Sequence, residues 1–139
     1  GNAYGTTKKS VEEARAKGKN VILDVDTIGA MKIRALCPDA TLIYILPPSW
    51  DELKSRLSST GIYTEEEVNA LMEIAEEEIS CANNYDYILV NDTISNTLSR
   101  FAQIIHSNRY SRNCMKEFLD SYIDGEVKPH VQSYKEALL

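Results

Sequence analysis

The stretch Val-Ile-Leu-Asp-Val-Asp, residues 21–26, decides the fold class. Its apolar residues are almost continuous, which is typical of a strand buried on both faces of a parallel sheet. Two further runs have the same character, Thr-Leu-Ile-Tyr-Ile-Leu at 41–46 and Tyr-Asp-Tyr-Ile-Leu-Val at 85–90. Because a helical pattern follows each run, the sequence predicts an α/β protein with a parallel sheet.

Helix starts and stops are marked between these runs. Two capping boxes, Ser49 with Glu52 and Thr64 with Glu67, each predict the first turn of a helix. The first of these helices should extend to about Ser58, before Gly61. Further helices are predicted at 7–17, 28–36, 94–106 and 115–123.

The composition narrows the function classes. The chain has 139 residues and a net charge of -6, with its basic residues scattered, which argues against nucleic-acid binding. It has no apolar run long enough to cross a membrane, so we expect no membrane association. Its three cysteines have no metal-ligand spacing and are expected to be free thiols in a cytoplasmic protein.

Polar residues follow the predicted strands, where ligands bind in open parallel sheets. An acidic residue at the end of a buried strand, such as Asp24, can hold Mg²⁺ or its waters beside transferring phosphates. The alternative is that it caps the strand end or the next helix. Likewise Asn91 and Asp92 either read a base or ribose, or cap the following helix together with Thr93.

Several motifs occur in a fixed order. They are Gly-Asn-Ala-Tyr-Gly-Thr-Thr-Lys at 1–8, Gly-Lys at 18–19, Val-Ile-Leu-Asp-Val-Asp with Gly29, Tyr-Ile-Leu-Pro-Pro-Ser at 44–49, Thr-Glu-Glu-Glu at 64–67 and Tyr-Asp-Tyr-Ile-Leu-Val-Asn-Asp at 85–92. This order and spacing resembles the guanylate kinase family from Gly1 to about Ile105.

The resemblance implies a three-layer P-loop-kinase-like sheet with helices on both faces. It also implies phosphoryl transfer from MgATP to GMP, giving GDP and ADP, with Mg²⁺ bound together with ATP. The expected small-molecule partners are therefore GMP and ATP. A guanylate-kinase-like domain would span 1–108, with a lid at about 56–72, and a helical tail would follow at 109–139.

The resemblance also implies roles for individual residues. On the GMP side, Tyr4 matches the tyrosine that binds the GMP phosphate, Thr6 the hydroxyl that contacts guanine, and Asp26 the carboxylate that accepts from the guanine amino edge. A carboxylate there would select guanine, because the wrong base would leave polar groups unpaired. Asp24 matches the Walker-B-type acid, which reaches Mg²⁺ through water. Arg56 matches a catalytic lid arginine that contacts the ATP phosphates, and Asn91 matches a residue on the adenine side of the ATP site.

The chain departs from the family at three positions. Thr60 and Leu71 stand where the family usually has lid arginines, and Ile28 stands where glutamine is common. An arginine that neutralises the transferring phosphoryl group is worth about 10³-fold or more in rate. A catalytically impaired module that binds GMP or a protein partner is therefore the alternative function, and a purely structural α/β domain explains only the elements.

The phosphate-binding loop is the largest difference. No Gly-x-x-x-x-Gly-Lys-Ser/Thr occurs within these 139 residues. In the family, the strand before that loop lies at the centre of the sheet, between the strands at 21 and at 41. We therefore expect an N-terminal segment or a partner to complete the sheet, and this segment alone to be inactive.

Overall fold

The computed structural model describes residues 7–125. Within this range the chain folds into six α-helices, a short 3₁₀ segment and a two-stranded parallel sheet. The elements in chain order are α1 Lys8–Ala16, α2 Thr27–Leu36, β1 Ile43–Leu46, α3 Trp50–Ser59, α4 Glu65–Ile79, the 3₁₀ segment Ser80–Asn84, β2 Tyr87–Val90, α5 Ile94–Asn108 and α6 Lys116–Ile123. The α/β class with a parallel sheet is thus confirmed.

The sheet pairs β1 with β2 in parallel, and Ile43 lies opposite Tyr87. The connection between the strands contains α3, α4 and the 3₁₀ segment, as a parallel pair requires a long crossover. Both strands are two residues shorter at their start than the apolar runs that predicted them. Their carboxyl ends lie together, because the backbone N–H of Asn91 donates to the carbonyl of Leu46 at 2.7 Å.

Residues 21–26 form no strand in the structure, contrary to the prediction from their apolar run. A strand exists only where a neighbouring strand supplies ladder hydrogen bonds. Within residues 7–125 β1 pairs with β2 alone, so this segment has no strand beside it. Apolar patterning indicates that a segment is suited to burial in a sheet, but it does not supply the partner.

Local signals set the helix ends. Thr7, Asp26, Ser49, Thr64 and Thr93 are N-caps whose side-chain oxygens accept from backbone N–H groups. Gly18, at φ 70°, follows the helix that it was expected to end. The predicted helix at 115–123 is confirmed as α6, and its N-cap makes no side-chain bond.

The buried core of residues 7–125 is small. Its buried apolar residues are Ala30, Leu42, Val68, Ala82 and Leu89. They lie in α2, directly before β1, in α4, in the 3₁₀ segment and in β2. One side of the sheet is open, since Ile88 is 57% exposed. No helix in this range is long and apolar enough to cross a membrane.

Candidate functional site

Asn91 lies directly after β2, at the carboxyl end of the sheet. Its backbone N–H continues the ladder to Leu46, which fixes its position. Its side-chain oxygen accepts from the hydroxyl of Thr97 in α5 at 3.1 Å. Within residues 7–125 its side-chain nitrogen has no hydrogen-bond partner, so this half-buried amide has an unused donor.

Asp92 organises the start of α5. Its carboxylate accepts from the backbone N–H of Thr93 at 2.6 Å, from the side chain of Asn96 at 3.3 Å and from Arg100 at 3.0 Å. The Thr93 hydrogen bond is the main cause that lowers the pKa of Asp92, with Asn96 and Arg100 adding to it and desolvation opposing it. The N-cap of α5 is Thr93, and the contact of Asn91 or Asp92 with a base or ribose stays a prediction.

Arg100 closes the outer edge of β2. Its Nη1 also donates to the carbonyl of Val90 at 3.2 Å. An open groove of about 660 Å³ lies beside this contact, between β2 and α5, and its walls include Ile88, Ile104 and Gln103. Asp92 lines one end of this groove, so the groove reaches the carboxyl end of β2, which Asn91 follows.

Arg56 joins α3 to the same sheet end. Its Nε donates to Glu52 at 2.8 Å, and its Nη2 donates to the backbone carbonyls of Asn91 at 3.0 Å and Asp92 at 3.4 Å. The structure thus brings together Arg56 and Asn91, two of the residues that the sequence assigned to the ATP side.

Asp26 is the N-cap of α2. Its Oδ1 accepts from the backbone N–H of Gly29 at 2.6 Å. A Cβ at Gly29 would lie 2.9 Å from that oxygen and 3.1 Å from the Cβ of Val25, so only glycine fits this turn without a shift. One carboxylate oxygen is therefore used by the helix, and Oδ2 has no hydrogen-bond partner within residues 7–125.

Asp24 lies two residues earlier and is exposed. Among the described residues its carboxylate makes no hydrogen bond or ion pair, in contrast to Asp26 and Asp92. It therefore does not cap α2, although a carboxylate there remains available to water or to a hydrated cation.

The neighbours of Asp26 come from the far end of α4. The hydroxyl of Thr27 donates to Glu78 at 3.3 Å. Tyr85 packs edge-to-face on Tyr44, with ring centroids 4.9 Å apart. Burial is the main cause that raises the pKa of both phenols, and the charge of Glu78 raises both further.

The charge of Asp26 also raises the pKa of Tyr85, which lies two residues before β2. Asn91 follows the opposite end of that strand. Within residues 7–125, Asp26, assigned to GMP, makes no hydrogen bond with Arg56 or Asn91, which are assigned to ATP. Asp24, assigned to Mg²⁺, makes none with them either. Tyr4 and Thr6 lie outside the described residues.

Thr60, directly after α3, and Leu71, within α4, are two of the three departures from the family pattern. The hydroxyl of Thr60 donates to the carbonyl of Leu57 at 2.8 Å and accepts from the N–H of Ile62 at 3.3 Å. Leu71 is half-buried, three residues along α4 from the buried Val68. One position is thus used in a local turn and the other in packing.

Three contributors to this region were not recognised as such from the sequence. Glu52 was predicted only as a capping residue, yet it holds Arg56. The spacing of four between them on one helix is a signal that could have revealed the pair. Arg100 has no such signal, because its bond to Asp92 spans eight residues and depends on how α5 meets β2. The role of Gly29 is visible only from backbone geometry.

Comparisons with known proteins give a consistent result. The guanylate kinase family model matches residues 1–108. A guanylate kinase of Clostridium acetobutylicum is 39% identical over 135 residues, which is 96% of this chain and 63% of the relative. One of Francisella tularensis is 44% identical over 108 residues, or 77% of this chain and 57% of the relative.

A third guanylate kinase, from Halalkalibacterium halodurans, is 35% identical over 126 residues, covering 91% of this chain and 62% of the relative. The chain thus spans about 60% of the length of these relatives. The similarity to the first and third continues past residue 108, into the region of α6. On the family match and these identities, the chain belongs to the guanylate kinase family.

Proposed function

We propose that the protein containing this chain is a guanylate kinase, which transfers a phosphoryl group from MgATP to GMP and yields ADP and GDP. The observation that carries the proposal is the pairing of Arg56 with the carboxyl end of β2, in a chain of this family. An arginine anchored beside a sheet end can neutralise charge on a nucleotide phosphate.

On the ATP side, the proposal assigns Asn91 to the adenine and Arg56 to the phosphates and catalysis. The free side-chain nitrogen of Asn91 suits a hydrogen-bond acceptor on a base or ribose. Such a site works by positioning and charge neutralisation, with no covalent step on the protein.

On the GMP side, the proposal assigns Tyr4 to the phosphate and Thr6 and Asp26 to the guanine. The unpartnered Oδ2 of Asp26 supports this role, since a guanine presents N–H donors that adenine lacks there. The cap on α2 keeps the carboxylate oriented, so the same residue serves the helix and the ligand.

Asp24 fits the magnesium ion that accompanies ATP. Mg²⁺ usually keeps several waters and takes one or two carboxylates together with substrate phosphates. An exposed and unpaired carboxylate is such a donor, and it would hold the ion through water. The bound ion would supply charge neutralisation at the phosphates.

The test is a coupled assay of ADP release with ATP and GMP on the full-length protein. We expect turnover that requires GMP and is not supported by AMP. No GMP-dependent turnover at high enzyme concentration would reject the catalytic proposal.

A variant of Asp26 tests the guanine assignment separately. Asp26→Asn should weaken GMP binding and reduce the preference for GMP over AMP, measured by calorimetry. Asparagine is as good an N-cap as aspartate, so the stability of α2 should be preserved. Unchanged GMP affinity and selectivity would show that Asp26 serves the helix alone.

The second candidate is a module that binds GMP or a protein partner without efficient catalysis. It is favoured by the two positions without the family's lid arginines, since Thr60 makes local hydrogen bonds after α3 and Leu71 is half-buried in α4. GMP binding by calorimetry, in the absence of turnover, would favour this candidate over the kinase. In that case a higher ATP concentration should not produce GMP-dependent release of ADP.

A further inference from the structure

The side chain of Glu52 does not perform the capping role that its sequence position indicates. Ser49 begins α3 and accepts from the backbone N–H of Glu52 at 3.1 Å, which is one half of a capping box. Within the described residues, the return bond from the N–H of Ser49 to the Glu52 carboxylate is missing.

The equivalent motif in α4 shows that the difference is specific to Glu52. There the Thr64 hydroxyl accepts from the N–H of Glu67 at 3.2 Å, and the Glu67 carboxylate accepts from the N–H of Thr64 at 2.8 Å. Both halves of the capping box therefore form in α4. In α3 the Glu52 carboxylate accepts a hydrogen bond from a different group.

That partner is Arg56, one helical turn along α3. Glu52 Oε1 accepts from Arg56 Nε at 2.8 Å, and the two side chains are 44% and 38% exposed. A half-exposed ion pair at this spacing contributes little to folding stability. Its stabilising energy alone is therefore a weak reason for the arrangement.

The geometry of the guanidinium supplies a stronger reason. Arg56 Nη2 is held by the carbonyls of Asn91 and Asp92, and Nε is held by Glu52. Within residues 7–125 the third nitrogen, Nη1, has no hydrogen-bond partner. Because the guanidinium is planar and rigid, fixing two nitrogens fixes the direction of the two N–H groups on the third.

The carbonyls alone would not achieve this. They hold the guanidinium through one nitrogen, about which the plane can swing. The Glu52 contact adds a second fixed point on the same edge of the plane, on the rigid frame of α3. A displacement of about 1 Å in a group that acts on a reacting centre can cost about 10²-fold in rate.

We propose that Glu52 is a positioning residue, which orients Arg56 at the carboxyl end of β2 so that Nη1 faces an anionic nucleotide phosphate. The inference rests on the proposed kinase function for its catalytic consequence. Its structural content, the orientation of Arg56, is independent of turnover.

The experiment compares variants of the full-length protein. Glu52→Ala should lower kcat by about 10-fold or more, with the KM for GMP changed by less than about 2-fold, because the residues assigned to GMP lie elsewhere. Glu52→Gln retains an acceptor oxygen for Nε and should recover part of the lost rate. In an Arg56→Ala background, Glu52→Ala should have no further effect.

Asp51→Ala is the matched control. Asp51 is exposed, lies in the same first turn of α3 and makes no hydrogen bond or ion pair within residues 7–125. It removes the same charge near the start of the helix without touching Arg56, so its kcat should equal that of the wild type. Equal loss in Asp51→Ala and Glu52→Ala, or a loss from Glu52→Ala that persists without Arg56, would overturn the proposal.

An activity-independent measurement separates this proposal from the proposed function. In the ¹H–¹⁵N spectrum, the Arg56 Nε–H signal, assigned by its loss in Arg56→Lys, should be slow to exchange in the wild type and in Asp51→Ala. It should exchange rapidly in Glu52→Ala. If the wild type shows no GMP-dependent turnover, the proposed kinase function is rejected. The positioning of Arg56 is then judged by the exchange of its Nε–H alone. Unchanged exchange in Glu52→Ala would reject the positioning role.

Discussion

At the scale of single residues, Gly29 shows how closely the start of α2 is packed around Asp26. Glycine is the only residue whose lack of a Cβ avoids a contact of 2.9 Å with the capping carboxylate and 3.1 Å with Val25. The same carboxylate is the proposed guanine contact. The close packing at Gly29 therefore limits where the Asp26 carboxylate, which caps α2, can point.

Gly29→Ala should lower the free energy of unfolding by about 1 kcal/mol, because the added methyl must displace the Asp26 carboxylate from its cap. Elsewhere in a helix the same change would stabilise by a similar amount. Urea unfolding measures the effect, with Asn69→Ala on the exposed face of α4 as the control. A Gly29→Ala protein at least as stable as the wild type would show that the carboxylate moves without cost.

Asp92 predicts a pH dependence of stability. Hydrogen bonds, chiefly from the Thr93 N–H, hold its pKa below the ordinary value of 3.8 in the folded protein. The charged carboxylate therefore stabilises the fold above that ordinary value. This contribution is lost as the pH falls below 3.8 and through the lower folded pKa.

The corresponding experiment is urea unfolding of the wild type and of Asp92→Asn at several pH values. At pH 6 the wild type should be the more stable protein, and the difference should shrink as the pH falls below 3.8. Asn69→Ala removes no titratable group, so its difference from the wild type should not depend on pH. A constant difference for Asp92→Asn would contradict the lowered pKa.

At the scale of elements, one arginine ties α2 to the beginning of the sheet. Arg34 donates to the carbonyls of Pro38 and Ala40 at 3.1 and 3.0 Å, and to Asp86 at 2.6 Å. The same oxygen of Asp86 accepts from the backbone N–H of Leu42 at 2.7 Å. The bend between α2 and β1 is thus fastened to the residue that precedes β2.

Arg34→Lys should destabilise the protein by about 1 kcal/mol, although the charge is kept. A lysine is a single point donor and cannot reach all three acceptors at once. Lys8→Ala is the comparison, since it breaks an exposed i,i+4 pair of 3.5 Å and should cost less than about 0.5 kcal/mol. Thermal or urea unfolding of Arg34→Lys identical to the wild type would mean that water replaces these bonds.

The elements also show what the sequence can and cannot predict. Caps at Ser49 and Thr64 and the stop at Gly18 were predicted correctly, because these signals act over three or four residues. The strand predicted at 21–26 was wrong, because a strand also requires a neighbouring strand, which its own residues do not specify. The contact of Arg56 with the carbonyls after β2 depends on the crossover through α3 and α4, which no local pattern encodes.

At the scale of the whole molecule, several large apolar side chains within residues 7–125 are exposed to solvent. Leu36 is 86% exposed and Ile94 is 79% exposed. The candidate site therefore lies on a scaffold with a small core, in which hydrogen bonds such as those of Arg34 and Arg56 hold elements in place.

Strand β1 makes its ladder on one side only, which gives it two classes of amide. The carbonyls of Leu42 and Leu46 accept from the N–H groups of Tyr87 and Asn91, so the even-numbered residues of β1 face β2. The amides of Ile43 and Ile45 face the opposite edge, where residues 7–125 supply no strand. In this chain, hydrogen–deuterium exchange should be slow at Tyr44 and Leu46 and fast at Ile43 and Ile45.

The same measurement on the full-length protein then reports on that edge. If another strand completes the sheet beside β1, the two fast amides should become protected while the even-numbered ones change little. Uniform protection of all four in the 139-residue chain would contradict the one-sided ladder. The exchange rates of the Ile43 and Ile45 amides would thus report whether another strand pairs with β1.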